Sequence, residues 1–98
     1  MGSSLKSALF LIESRLVDAA RGDIAACVDL GILYSTGDAE IAIDLVEAHK
    51  WFNLAALKGN EDAQQWRADV AEDMTARQVA EAQRQARAWL QATERRAA

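Results

Sequence analysis

Gly22 and Gly59 stand 37 residues apart, and their surroundings recur with them. Each is preceded by an Ala-Ala pair, Ala19-Ala20 and Ala55-Ala56, and followed four positions on by an alanine, Ala26 and Ala63. A recurrence of this length leaves room for two helices per unit. It predicts a short α-solenoid of antiparallel helix pairs, each burying its apolar face against the next. Proline is absent, glycine occurs five times, and Ala, Leu, Glu, Gln and Arg are abundant, so intrinsic propensity points to an all-α chain of about five helices. Strand-like alternation is nowhere sustained.

Segment one, about residues 4–21, carries Leu5, Leu9, Ile12, Leu16 and Ala20 on one face. Phe10, Leu11 and Val17 widen that stripe, so this helix is expected to pack on two sides. Gly22 ends it, and Asp23 caps segment two, about residues 23–35, with Ala26, Leu30, Leu33 and Tyr34 on one face. Gly31 sits inside that helix at a cost of about 1 kcal/mol relative to alanine, which predicts another helix passing too close for a side chain. After Gly37, residues 38–43 form a loop whose Ile41 and Ile43 are too apolar for water, and Ile41 is expected to plug the gap between helices.

Asp44 starts segment three, and Glu47 three residues later predicts a reciprocal cap. Ala48, Trp51, Phe52, Ala55 and Ala56 form its buried stripe. Asn60 opens segment four, whose apolar face is Ala63, Trp66, Val70 and Met74. Thr75 with Gln78 gives a second capping box, and Met74 with Val79 stand at the positions of a hydrophobic staple. Segment five then carries Val79, Ala82, Ala86, Trp89 and Leu90 to about Gln91 or beyond, and residues 93–98 are expected to fray.

Residue by residue, the central unit resembles the Sel-one-like repeat, a relative of the tetratricopeptide repeat. Gly22, Ala26, Leu30-Gly31, Tyr34, Gly37, Ile41, Asp44, Ala48, Trp51, Ala55-Ala56 and Gly59 follow its pattern. Ala42 departs from it, standing where the family often has proline, and this leaves the loop less stiff. Segment one resembles the second helix of a preceding repeat without its tryptophan. In the following unit the Leu-Gly pair becomes Arg67-Ala68 and the tyrosine becomes Ala71, so only Gly59 and Ala63 remain. The chain therefore reads as one domain over 1–98: an N-terminal capping helix at 1–21, one complete repeat at 22–59, and a divergent C-terminal capping hairpin at 60–98. The resemblance implies a scaffold for protein–protein contacts, of a kind common in bacterial signalling and envelope proteins, without catalytic residues or a cofactor.

The remaining residue types narrow the function. A net charge of −4 without clustered Lys and Arg argues against nucleic acid as a partner. The apolar run at residues 8–12 is cut off by Glu13, too short for a membrane span, and Lys6 stands where a myristoylation signal needs Ser or Thr. Cys27 is the only cysteine, so no intrachain disulfide forms and the cytoplasm is the simpler expectation, with the periplasm as the alternative. His49, the only histidine, lacks partners for a metal site and is expected on the outer side of segment three, at the surface or lining a groove. Cys27 reads as a small buried hydrophobe with no His–acid pair to activate it.

Trp51 and Trp66 are expected in the core, whereas Trp89 on the last helix is as open to a partner as to the core. Glu61, Asp62, Asp69, Glu72 and Asp73, and the arginines Arg77, Arg84, Arg87, Arg95 and Arg96, read as two solvated faces. The first functional expectation is an adaptor, its concave face holding a protein or peptide through Asp29, Ile32, Tyr34 and Ser35, with His49 and Lys50 secondary. The second is self-association through the ends, with Phe10 and Trp89 as the contacts, because short arrays need about three units to bury a continuous core. No constellation supports an enzyme.

Overall fold

Both glycine turns form, and by the same hydrogen bonds. In the computed structural model, which describes the backbone of residues 3–97 and the side chains of residues 7–95, Asp23 N–H donates to Asp18 O (3.1 Å) and Gly22 N–H to Ala19 O (3.0 Å). One repeat later Asn60 N–H donates to Ala55 O (3.0 Å) and Gly59 N–H to Ala56 O (3.0 Å). This pair of bonds closes a helix C-terminus only when the residue past the end is left-handed, and Gly22 and Gly59 have φ of 93° and 104°. The next residue then caps the following helix: Asp23 Oδ1 accepts from Ala26 N (3.3 Å) and Asn60 Oδ1 from Ala63 N (2.8 Å). The recurrence seen in the sequence is thus a recurrence of one turn geometry.

Five helices fill the described residues, with no strand among them: α1 (Ser3–Ala20), α2 (Ile24–Thr36), α3 (Leu45–Leu57), α4 (Glu61–Ala71) and α5 (Ala76–Ala97). The protein is all-α. α1 packs chiefly on α2, while α3 packs on α2, α4 and α5. This centrality explains why seven of the 13 residues of α3 are buried, including Ala48, Trp51, Phe52, Leu54 and Ala55.

Gly31 is a close-packing glycine. A Cβ added there would stand 3.0 Å from Phe52 Cγ and nearer still to other atoms of the ring. The same ring meets Trp66 of α4 at 5.6 Å between centroids, tilted by 49°. Phe52 therefore joins α2, α3 and α4. Trp51, 1% exposed, faces elsewhere: its ring lies edge-on to Trp89 of α5 at 4.9 Å and 76°. The indole is central to the core as expected, but the aromatic that meets it belongs to α5.

Several expectations need correction. The principal packing partner of α5 is α3, not α4. Ala82 and Ala86, 0% and 1% exposed, let it approach closely, and Trp89 is half-buried on Trp51 instead of standing at an open end. The helical conformation extends past Gln91 to Ala97, with Thr93 Oγ1 donating to Trp89 O (2.9 Å) and Leu90 O (3.2 Å). Ile41 is buried as the loop plug, but Ile43 is 59% exposed. Leu9, placed on the inward stripe of α1, is 52% exposed, and Phe10, Leu11 and Val17 also face outward, so only one side of this helix is covered. Leu5, Lys6 and Arg96 lie outside the described side chains.

The Thr75 box forms in full, with Gln78 N donating to Thr75 Oγ1 (3.1 Å) and Thr75 N to Gln78 Oε1 (2.9 Å). The Asp44 box forms by half. Asp44 Oδ1 accepts from Glu47 N (3.1 Å), while the Glu47 carboxylate accepts from Trp51 Nε1 (2.9 Å) and Lys50 Nζ (3.1 Å). A buried indole N–H needs an acceptor more than an exposed backbone donor does, and Asp44 N–H is served by Tyr34 O (2.9 Å).

Gly31→Leu is expected to lower stability by about 1–3 kcal/mol despite its better helix propensity, because the added side chain would push the Phe52 ring from its seat between α2 and Trp66. Chemical denaturation of the two chains measures the difference, and an unchanged or higher midpoint would contradict the close approach. Trp51→Ala is expected to cost about 3–5 kcal/mol in the same assay.

Candidate partner-binding groove

α2 and α4 do not meet over their full length, because the Phe52 ring stands between them as a floor. The resulting groove, about 330 Å³, has Ile32, Ser35 and Thr36 on the α2 side and Trp66, Val70 and Asp69 on the α4 side. Ser35 Oγ and Thr36 Oγ1 both donate to Ile32 O (3.0 and 2.8 Å), which satisfies their hydrogens within α2 and leaves a largely apolar wall. Asp69 Oδ1 accepts from Gln65 Nε2 (2.8 Å) on its own helix. A second depression of about 300 Å³ lies between α1 and α2, where Arg15 Nε is 3.1 Å from Asp29 Oδ2 below Leu11 and Leu33. Ile32 and Thr36 line both, so α2 presents a ridge with a groove on each side.

The anticipated partner residues divide accordingly. Ile32, 42% exposed, and Ser35 line the main groove, and Asp29 lines the second, already paired with Arg15. Tyr34 lines neither. It is half-buried against the core, and burial, with the Glu47 and Asp44 carboxylates adding to it, raises its phenol pKa. Lys50 is engaged by Glu47 at 3.0 Å and sits 4.8 Å from the centre of the Trp51 ring, a cation–π position that leaves its side chain only 13% exposed. Phe10 is 72% exposed on α1, away from both grooves, and Trp89 is turned inward.

His49 is not on the outer side of its helix. It is 3% exposed, and its Nδ1 has no hydrogen-bond partner among the described residues. Burial lowers its pKa, and the nearby Arg67 guanidinium lowers it further; that arginine donates to Asn53 Oδ1 at 2.6 Å. Cys27 is 1% exposed, and burial raises its thiol pKa, with Lys58 opposing and Asp23 reinforcing the shift. Among the described residues no group of three or more His, Cys, Asp and Glu is placed to hold a metal ion, and no helix is long and apolar enough to cross a membrane.

Phe52 is buried as its place on the inward stripe of α3 leads one to expect, and Trp66 packs against the core, but both also line the groove, together with Val70 and Asp69. Gly31 signalled a close approach without naming the residue that makes it, and that residue is Phe52. Comparison of the chain with protein-family models, with curated proteins and with solved structures gives no match.

The buried histidine has a measurable consequence. Unfolded, it titrates near 6.5; folded, its pKa is lower, so below about pH 6.5 the unfolded chain binds the extra proton and stability falls with pH. Above that value this contribution is constant. Since His49 is the only histidine, His49→Gln is expected to flatten the change in denaturation midpoint between about pH 7.5 and 5.5. An unchanged slope in the variant would show that His49 is not the responsible group. Glu81, held at about 2 by Arg84 and Gln85, titrates well below this window.

Proposed function

We propose that the chain is a non-enzymatic protein-interaction module, a short α-solenoid of the Sel-one-like repeat type that holds a protein or peptide segment between α2 and α4. The carrying observation is the groove itself: Ile32, Trp66 and Val70 stand around one depression floored by the buried Phe52 ring, so that three helices contribute to it. Apolar concavities edged by a few polar groups are the form that side-chain recognition takes. The two side chains with most capacity for general-base or nucleophilic chemistry, His49 and Cys27, are both buried in the core, which favours binding over catalysis. A protein scaffold in the cytoplasm accords with a single buried thiol.

Affinity capture from native cell extract, run in parallel with the wild-type and Ile32→Asn chains, is expected to recover a protein that the wild type retains and the variant does not. Ile32 is exposed enough for its replacement to leave the helices intact, which circular dichroism checks. Equal recovery by both chains would count against the groove.

A second reading is self-association through α1, favoured by the outward Leu9, Phe10 and Val17, which are 52%, 72% and 50% exposed. On this reading, sedimentation equilibrium shows a mass that rises with concentration, and Phe10→Glu returns it to the monomer value. A wild-type chain that remains monomeric at high concentration would exclude it.

A further inference from the structure

We infer that the α2–α4 groove selects a peptide segment in which one bulky aliphatic or aromatic side chain is flanked by Lys or Arg. The inference rests on the peptide-binding reading above and specifies its ligand. The floor and walls, Ile32, Phe52, Trp66 and Val70, suit a large apolar side chain, and about 330 Å³ is ample for one. Burial of such an anchor supplies most of the affinity at a small interface.

Charge decides what stands beside the anchor. Asp69 lines the groove, and Asp62, two turns earlier, lies on the same stripe of α4. Neither carboxylate has an ion-pair partner among the described residues. α2 contains no Lys or Arg, the one arginine of α4 is turned to Asn53 on α3, and Arg15 across the ridge is held by Asp18 and Asp29. Ser35 and Thr36 have committed their hydroxyl hydrogens to Ile32 O, so they offer no donor to an acidic ligand. An incoming carboxylate meets only like charge, whereas Lys or Arg finds acceptors at the rim. The apolar anchor thus gives affinity, and the rim gives association rate and choice between ligands.

The test pans a display library of random short peptides against the full chain at low salt, followed by anisotropy measurements on enriched peptides. The expected consensus is one Leu, Ile, Phe or Trp with Lys or Arg close on either side. Replacing the flanks with Glu, or using the Asp69→Lys chain, is expected to weaken binding about tenfold, and the basic-flanked peptide should also weaken as salt rises. Asp69 lies near the C-terminal end of α4, where a lysine suits the helix dipole, so the variant is expected to keep its helicity. Ile32→Asn should weaken every groove-bound peptide whatever its flanks. An apolar consensus with acidic or neutral flanks that is still sensitive to Ile32→Asn would overturn the charge selection and leave the groove standing. No enrichment, or binding indifferent to Ile32→Asn, would overturn both.

Discussion

The ring of Phe52 lying on Gly31 is the contact on which the relation of α2, α3 and α4 depends. Any side chain at position 31 would occupy the space that the ring now fills. With it seated there, one part of the ring rests on α2 and another meets Trp66, so three helices are held by one rigid group with few rotamers to lose. The groove is the other side of the same arrangement. Its floor is the Phe52 ring, which lies between α2 and α4 and is itself almost wholly buried.

α3 carries a second aromatic on an adjoining face, and it brings an electrostatic requirement with it. Trp51 is almost wholly buried, and its indole N–H would be costly without an acceptor. Glu47, one turn earlier, supplies it, and Lys50 balances the carboxylate while its ammonium lies near the same ring. The N-terminal cap of α3 loses its reciprocal half as a result. The loop compensates by other bonds: Asp38 Oδ1 accepts from the N–H of both Glu40 and Ile41 at 2.8 Å, and Asp44 N–H returns to α2 at Tyr34 O. The stiffness that proline would give at Ala42 is partly supplied by this carboxylate.

The features legible in the sequence were those set within a few residues. The paired turns, three N-caps and the complete box at Thr75 follow from local spacing and from glycine's conformational range, and the close approach at Gly31 was legible because a glycine inside a helix is costly. What failed depended on which helix lies over which. His49 reads as an outer-face residue until α3 is known to be covered on three sides, and Trp89 reads as an end residue until α5 is seen to lie on α3. Leu9 fits the apolar stripe of its helix by period and Ile43 is apolar in its loop, yet among the described residues each stays more than half exposed. The groove was half legible for a similar reason: Ile32 and Ser35 came from α2 alone, while Trp66 and Val70 looked like core because periodicity does not say how far two helices stand apart.

The placement of the tryptophans gives the molecule two separate optical reporters. Trp51 and Trp89, held edge to face at 4.9 Å, couple their strong electronic transitions, so the far-ultraviolet dichroism of the folded chain carries the signature of α5 docked on α3. Trp66 belongs to a different environment, half-buried at the groove against Phe52, and its emission answers to the polarity there. One signal follows the docking of α5 on α3 and the other the surroundings of Trp66, and the unlabelled protein carries both.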